Sequence, residues 1–469
     1  MNTFTLFGQE GWRLVGALAL VLAYLALCAR LYCRSHPGNL SCQSFMPVRR
    51  GSGQAPAVCI VYASQTGQAQ AIAEQSARAL ASSDVPVRLY RFEQDWLAEA
   101  ARASCVLFVV STSGEGDAPD HAASAWRRLC ASDAGLAGVR HGVLALGDRQ
   151  YTRFCGFGRE LDQWLASRGA AQAFERIELD RLDAVGLARW QAEVGRRGAR
   201  VELPLAAQVV PSEDWRFIDR VHLNKGSAGA PMCRVRVAPA AGRAHWQAGD
   251  LLDVVIPGGD GHPRSYSIAN CDTDGVVELI VRSHFREDGS AGEASAWLNE
   301  RASADALLKA GVRHNPSFHL DASPQTPLIL IGAGSGLAGL RSHLQARAKA
   351  LADRQTAAPA LSAWLVYGER SAAFDAMCSE EFDAMLSTGA LSRLDRVFSR
   401  DTPDAPYVQH RLLTEQDRVR QWVEAGAIVL VCGSAGAMAR GVDEALGRIL
   451  GREQVAQLLE AGRIRRDVF

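Results

Sequence analysis

The sequence predicts an α/β protein built from an open, doubly wound parallel sheet, a small antiparallel β-barrel and a second parallel α/β unit, with one transmembrane helix in front. Three observations predict the soluble part. The continuous apolar run 57–63 (AVCIVYA) breaks into a Gly- and hydroxyl-rich loop, as a strand buried on both faces does. Further on, short β-like segments (CRVRVA, LLDVVIP, VVELIVR) are divided by Gly and Pro, which suits an antiparallel barrel. After them PLILIG, WLVYG and IVLVCG restore the buried-strand pattern. The length of 469 residues suits roughly two to four domains.

Composition narrows the function classes. A formal charge of zero argues against a nucleic-acid partner, which normally meets a positive field. The eleven cysteines form no C-x-x-C pair and no Cys/His group at zinc spacing. No metal site is expected, and most of these thiols read as small buried hydrophobes in a reducing compartment.

The chain reads LVGALALVLAYLALCA from Leu14 to Ala29 without a charge. That length is marginal for a bilayer and suffices if Arg13 and Arg30 snorkel. A cleaved signal peptide is the rival, but Glu10 precedes the run and no small-x-small site follows,. Arg30, Arg34, Arg49 and Arg50 follow it, so the positive-inside rule puts everything downstream in the cytoplasm, on a single-pass inner-membrane protein. The expected layout is an anchor at 12–33, a tether at 34–56, and domains at 57–200, 205–322 and 323–469, with 201–212 as linker.

The loop after the first strand, Ser64-Gln65-Thr66-Gly67-Gln68-Ala69, opens a helix-like stretch. Hydroxyls and backbone N–H groups at a helix N-terminus suit a phosphate dianion, although an ordinary surface turn has the same look. Two more runs end similarly, in Ser111-Thr112-Ser113-Gly114-Glu115-Gly116 and, after Leu146, in Gly147-Asp148-Arg149-Gln150-Tyr151-Thr152-Arg153-Phe154. In an open α/β sheet, loops beyond the carboxyl ends of the strands converge on one ligand.

Together these loops resemble the flavodoxin-like module of the diflavin reductases, the family of cytochrome reductases and the flavoprotein subunit of sulfite reductase. The resemblance implies that 64–69 hold the FMN phosphate. It also implies that Ser111–Gly116 and Gly147–Phe154 bracket the isoalloxazine, with Tyr151 stacked on it. Many relatives carry an aromatic at the place of Ser113, so its absence implies a more open flavin face. Glu115, Asp117, Asp120 and Asp148 make an acidic rim, either a solvated edge or a docking patch for a basic partner.

The second half continues the resemblance. Arg264-Ser265-Tyr266-Ser267 matches the R-x-Y-S strand of the ferredoxin-reductase barrel. Alternation along a strand puts Arg264 and Tyr266 on one face. Arg264 would meet the FAD pyrophosphate, Tyr266 the ring, and Ser267 the reactive nitrogen. Gly292, Ala294 and Ser295 fit the family's pyrophosphate element ahead of a helix. The larger family members insert a helical domain before the R-x-Y-S strand, and the short spacing from Pro211 to Arg264 leaves no room for it.

Gly332, Gly334, Ser335 and Gly336 follow PLILIG, where glycine lets the backbone approach a pyrophosphate. Gly339 stands where the family usually has Pro. Ser399 and Arg400 resemble the family's pair for the 2′-phosphate of NADPH. Tyr407 and Gln409 match the Y-x-Q beyond it, while Ala405 replaces a common Lys. Arg370 is a further phosphate or adenine contact, or simply a surface arginine. Cys432 matches the nicotinamide pocket, Asp467 the family's terminal acid, and Phe469 a lid over the flavin.

The implied activity is that of an NADPH-dependent diflavin oxidoreductase of the haemoprotein-reductase type. Ser267, Cys432, Asp467 and Phe469 are the implied catalytic residues and FMN, FAD and NADPH the cofactors. The expected partner is a one-electron acceptor at the membrane, a haem protein or a ferric-chelate reductase. The flavoprotein subunit of a sulfite reductase and a flavin-binding scaffold without turnover are the alternatives.

Overall fold

The computed structural model describes Gln43–Phe45 and residues 57–469, apart from 94, 115, 150–152, 182, 198–212, 287, 354–358 and 403–405. The first sheet is parallel and uses β1 (Val58–Ala63), β2 (Val87–Arg91), β3 (Cys105–Ser111), β4 (Arg140–Gly147), β5 (Ala171–Gln172) and β6 (Ile177–Asp180). Its order is β2-β1-β3-β4-β5, with β6 also on β4. All six residues of β1 are buried, because helices cover both faces, as parallel sheets require. Helix 68–82 packs Ala69, Ile72, Ala73, Ala77 and Leu80 onto β1, β2 and β3. Strand order reverses between β1 and β3, and the crevice at such a switch point is where ligands of open sheets bind.

The barrel follows, with β7 (Glu213–His222), β8 (Met232–Pro239), β9 (Leu251–Val255), β10 (Arg264–Ser267), β11 (Val277–Arg282) and β12 (Leu307–Arg313). They pair antiparallel in the order β10-β9-β12-β7-β8-β11. Its core holds Trp215, Phe217, Val235, Leu252, Leu279 and Leu308. No helix lies between Glu213 and Arg264, so β9 turns directly into β10.

The third sheet is parallel again: β13 (Leu328–Ala333), β14 (Ala363–Glu369), β15 (Arg393–Phe398), β16 (Ile428–Gly433) and β17 (Ile464–Val468), in the order β15-β14-β13-β16-β17. Leu328 and Leu330 join the core on one face, and Ile329 and Ile331 the core on the other. Strand alternation on a sheet covered on both sides produces this split. Arg341, on the helix Leu337–Asp353 after β13, is almost fully buried. It donates to Glu278 of the barrel and to Glu381 of the helix Ser379–Ser387, both at 2.7 Å.

One expectation is corrected here. Among the described residues no helix is long and apolar enough to cross a membrane. The expected anchor 12–33, and the tether 34–56 apart from Gln43–Phe45, lie outside them. The inner-membrane location therefore has no support in the structure.

Candidate functional site

The loop after β1 is shaped from both sides. Gly67 takes φ +81° and starts the helix Gln68–Ser82, whose first turn carries no acidic residue. The positive helix end is thus left for an anion. Gln65 N–H donates to Ser111 Oγ at 3.0 Å. The Gln65 amide and Asp120 exchange two hydrogen bonds, also at 3.0 Å. Ser64 N–H donates to His121 Nε2, whose other nitrogen meets Glu93. Ser64 Oγ and Thr112 Oγ1 are shielded from water and have no protein partner. Buried hydroxyls rarely stay unpaired, so this pair fits a ligand that brings its own acceptor oxygens.

The three loops interlock through glycine. A Cβ on Gly116 would sit 2.6 Å from Arg153 Cβ, one on Gly147 2.8 Å from Cys155 N, and one on Gly156 2.8 Å from Gly116 O. Thr112 N–H donates to Leu146 O, joining the second loop to the third. Asp148 is held by Arg181 at 2.8 Å, and Arg149 lies over the Phe154 ring. Ala69 is buried in the first turn of its helix. Glu115 and Tyr151 lie outside the described residues.

These loops open on a cavity of about 310 Å³ lined by Gln65, Thr66, Ser111 to Gly114, Gly147 and Phe154. That volume is in the range of small-molecule sites. Its far wall belongs to the second half: Pro263, Arg264, Ser265, Ala435 and Val468. The structure thus brings the 64–69 loop and the Arg264 strand to one cleft. Within it Arg264 pairs with Asp260 at 2.8 Å, and Ser265 Oγ donates to Asp253 at 2.6 Å. Tyr266 is half-buried against the barrel core, which pushes its phenol pKa up.

Behind this strand lies a proton-holding group. Ser267 Oγ donates to Asp467 Oδ2 at 2.6 Å, and Cys432 Sγ is 3.6 Å from the same oxygen. Cys432 and Asp467 are register partners on β16 and β17, and Ser267 ends β10. All three are buried. Burial lifts the Asp467 carboxyl above its ordinary value, and burial with the nearby carboxylate lifts the Cys432 thiol further. The main chain of Phe469 is pinned to Gly433 O and Ala435 N–H, leaving its ring half in solvent.

The glycine loop after β13 is a tight cradle. A Cβ on Gly332 or Gly336 would meet Cys432 O at 2.6 or 2.1 Å. One on Gly334, at φ +62°, would meet Arg282 Nη2 at 2.5 Å. Arg282 itself pairs with the buried Glu369 at 2.5 Å, roofing the loop that also holds Ser335. Only glycine leaves the space a pyrophosphate needs. Ser399 N–H and Arg400 N–H donate to Glu369 O and Arg370 O, which sets Arg370 beside the Ser399–Arg400 pair. Tyr407 caps the helix Val408–Thr414, and Gln409 packs on Gly441. Gly292 precedes the helical turn Glu293–Ala296, which holds Ala294 and runs on as a π-helix over Trp297–Arg301; Ser295 Oγ accepts from His284 N–H and donates to Gly292 O.

Several contributors carry no motif. Arg313, His314 and Ser317 press the barrel against the 64–68 loop, and Arg282 reaches the nucleotide unit from the barrel. Their sequence context is that of ordinary barrel residues; only chain folding shows their role.

The fold and its two cradles define a flavin- and nicotinamide-nucleotide-dependent oxidoreductase. The family model described as flavodoxin matches residues 60–189, and the one described as oxidoreductase NAD-binding domain matches 330–444. The chain is similar to the NADPH sulfite reductase flavoprotein alpha-components of Vibrio cholerae serotype O1 (26% identical, 87% of each chain), Bacillus subtilis (27%, 92% and 94%) and Salmonella typhi (24%, 89% and 90%). The Vibrio alignment runs over 542 residues, more than this chain contains, so that relative carries internal sequence missing here. The two domains and these relatives fit the diflavin reductase family. The flavodoxin unit binds FMN, and the second half binds FAD and NADPH. Relatives spanning most of the chain are named as sulfite reductase components, and the expected inner-membrane location is withdrawn.

Proposed function

We propose that this chain takes electrons from NADPH and delivers them one at a time to a haem protein of the sulfite reductase kind. The observation that carries the reading is the shared cleft, walled by the FMN loops on one side and by Arg264, Ser265 and Val468 on the other. When bound, NADPH supplies a hydride, and the flavins turn its electron pair into two single-electron deliveries.

The chain's own residues do the rest. Asp467 Oδ2 holds the Ser267 proton and faces the Cys432 thiol in a site from which water is excluded. The lifted thiol stays protonated, and Asp467 Oδ2, by accepting the Ser267 hydroxyl, fixes the direction of that side chain. Gly332, Gly334, Ser335 and Gly336 would hold the dinucleotide backbone, and Ser399, Arg400 and Arg370 the 2′-phosphate. Phe469 would cover the flavin ring until nicotinamide displaces it. The relatives' names support a sulfite reductase haemoprotein as acceptor over the membrane haem protein or ferric-chelate reductase suggested by the apolar N-terminus.

Quantifying flavins released from the purified chain tests the reading: one FMN and one FAD per chain are expected. Adding a sulfite reductase haemoprotein and NADPH should then yield sulfide. FAD alone, or no coupling to that haemoprotein despite fast ferricyanide reduction, would sink it.

A further inference from the structure

The geometry points to Arg313 and Ser317, two barrel residues, as part of the FMN phosphate site: they preset the 64–68 loop of the other lobe. The inference rests on reading that loop as the phosphate cradle. Arg313 Nε pairs with Asp253 at 2.8 Å and Nη2 donates to Ser265 Oγ at 2.7 Å, which leaves Nη1 to donate to Thr66 O. Ser317 Oγ donates to Gln65 O at 2.5 Å. Two successive carbonyls of the loop are thus taken by the barrel. In a trans peptide the C=O and the following N–H point in opposite directions. Fixing Gln65 O and Thr66 O toward the barrel therefore turns Thr66 N–H and Gly67 N–H away from it, as an anion cradle requires.

The barrel side is built to hold this position. Asp250 is fully buried and accepts from Gln247 N–H and Asn315 N–H at 2.9 and 3.0 Å. It also binds His314 and His319, at 3.1 and 2.5 Å. Segment 313–319 is in this way fastened to the barrel before it meets the other lobe. The approach is close: a Cβ on Gly67 would stand 2.8 Å from His314 O. Neither residue touches the flavin sites through a motif, and both act as positioning residues.

The test uses the full chain carrying Arg313→Lys, Ser317→Ala or both. Lys keeps a cation beside Asp253 and loses the fork that reaches Thr66. Dissociation constants for FMN, riboflavin and FAD are measured by flavin fluorescence, with melting temperature as a fold check. The double variant should bind FMN roughly tenfold more weakly, the scale of one or two lost hydrogen bonds. Riboflavin, which lacks the phosphate, should bind as in the unaltered chain, and Ser317→Ala alone, which leaves the Arg313–Ser265 contact intact, should leave FAD binding unchanged. Unchanged FMN affinity, an equal loss for riboflavin, or a loss of FAD binding in Ser317→Ala overturns the assignment. An unaltered chain that binds no FMN at all would instead refute the cradle reading itself.

Discussion

Asp467 gathers two donors, Ser267 Oγ and Cys432 Sγ, on one buried oxygen. Asp467→Asn keeps the shape and removes the strong acceptor. The expected result is NADPH-driven bleaching of FAD slowed roughly a hundredfold, with flavin content unchanged, measured by stopped-flow absorbance. Arg400→Ala addresses a different contact. It should raise the Michaelis constant for NADPH far more than for NADH, and an unchanged ratio would place the 2′-phosphate elsewhere. Cys432 and Asp467 were legible as family motif residues, yet their pairing across β16 and β17 needed the strand register. Arg282 was not legible: an arginine closing a β-strand looks the same whether it meets solvent or, as here, a buried Glu369.

At the scale of elements, continuous apolar runs announced the parallel strands, because burial on both faces removes polar alternation. Gly67 was visible as a break after β1, but its second constraint was not. It combines φ +81° with the close approach of His314 O. Gly67→Ala should therefore weaken FMN binding by at least about tenfold, since the left-handed region alone costs an L residue about 1–2 kcal/mol. Equilibrium titration with FMN checks this. At Gly292–Ser295 the pattern gave a helix start, and the fold has one, running on from Glu293–Ala296 into the π-helix Trp297–Arg301.

For the whole molecule, the lobes also meet at Arg466, which lies 2.9 Å from Asp443 and 3.4 Å from Asp120. Burial, opposed by Arg466 and aided by Asp120, raises the Asp443 pKa from 3.8 to about 6. The folded state therefore prefers the neutral acid. Its contribution is complete below the unfolded value and is lost as pH rises through about 6,. Asp443→Asn should flatten that loss, so its melting temperature gains on the unaltered chain between about pH 4 and 6.5. A constant difference across that range would contradict the burial argument. None of this was readable from the sequence, because Asp120 and Asp443 belong to different lobes. The order of domains was readable, since each brings its own strand-to-loop signature.

The ion pairs of Arg341 tie the barrel to the nucleotide unit through Glu278 and Glu381, in an almost dry setting. Breaking such pairs is costly. Any breathing of the molecule must then part it along one seam, between the flavodoxin lobe and everything after it. Paired spin labels should hold a constant separation across the Arg341 junction while labels spanning the Arg313 junction report a spread.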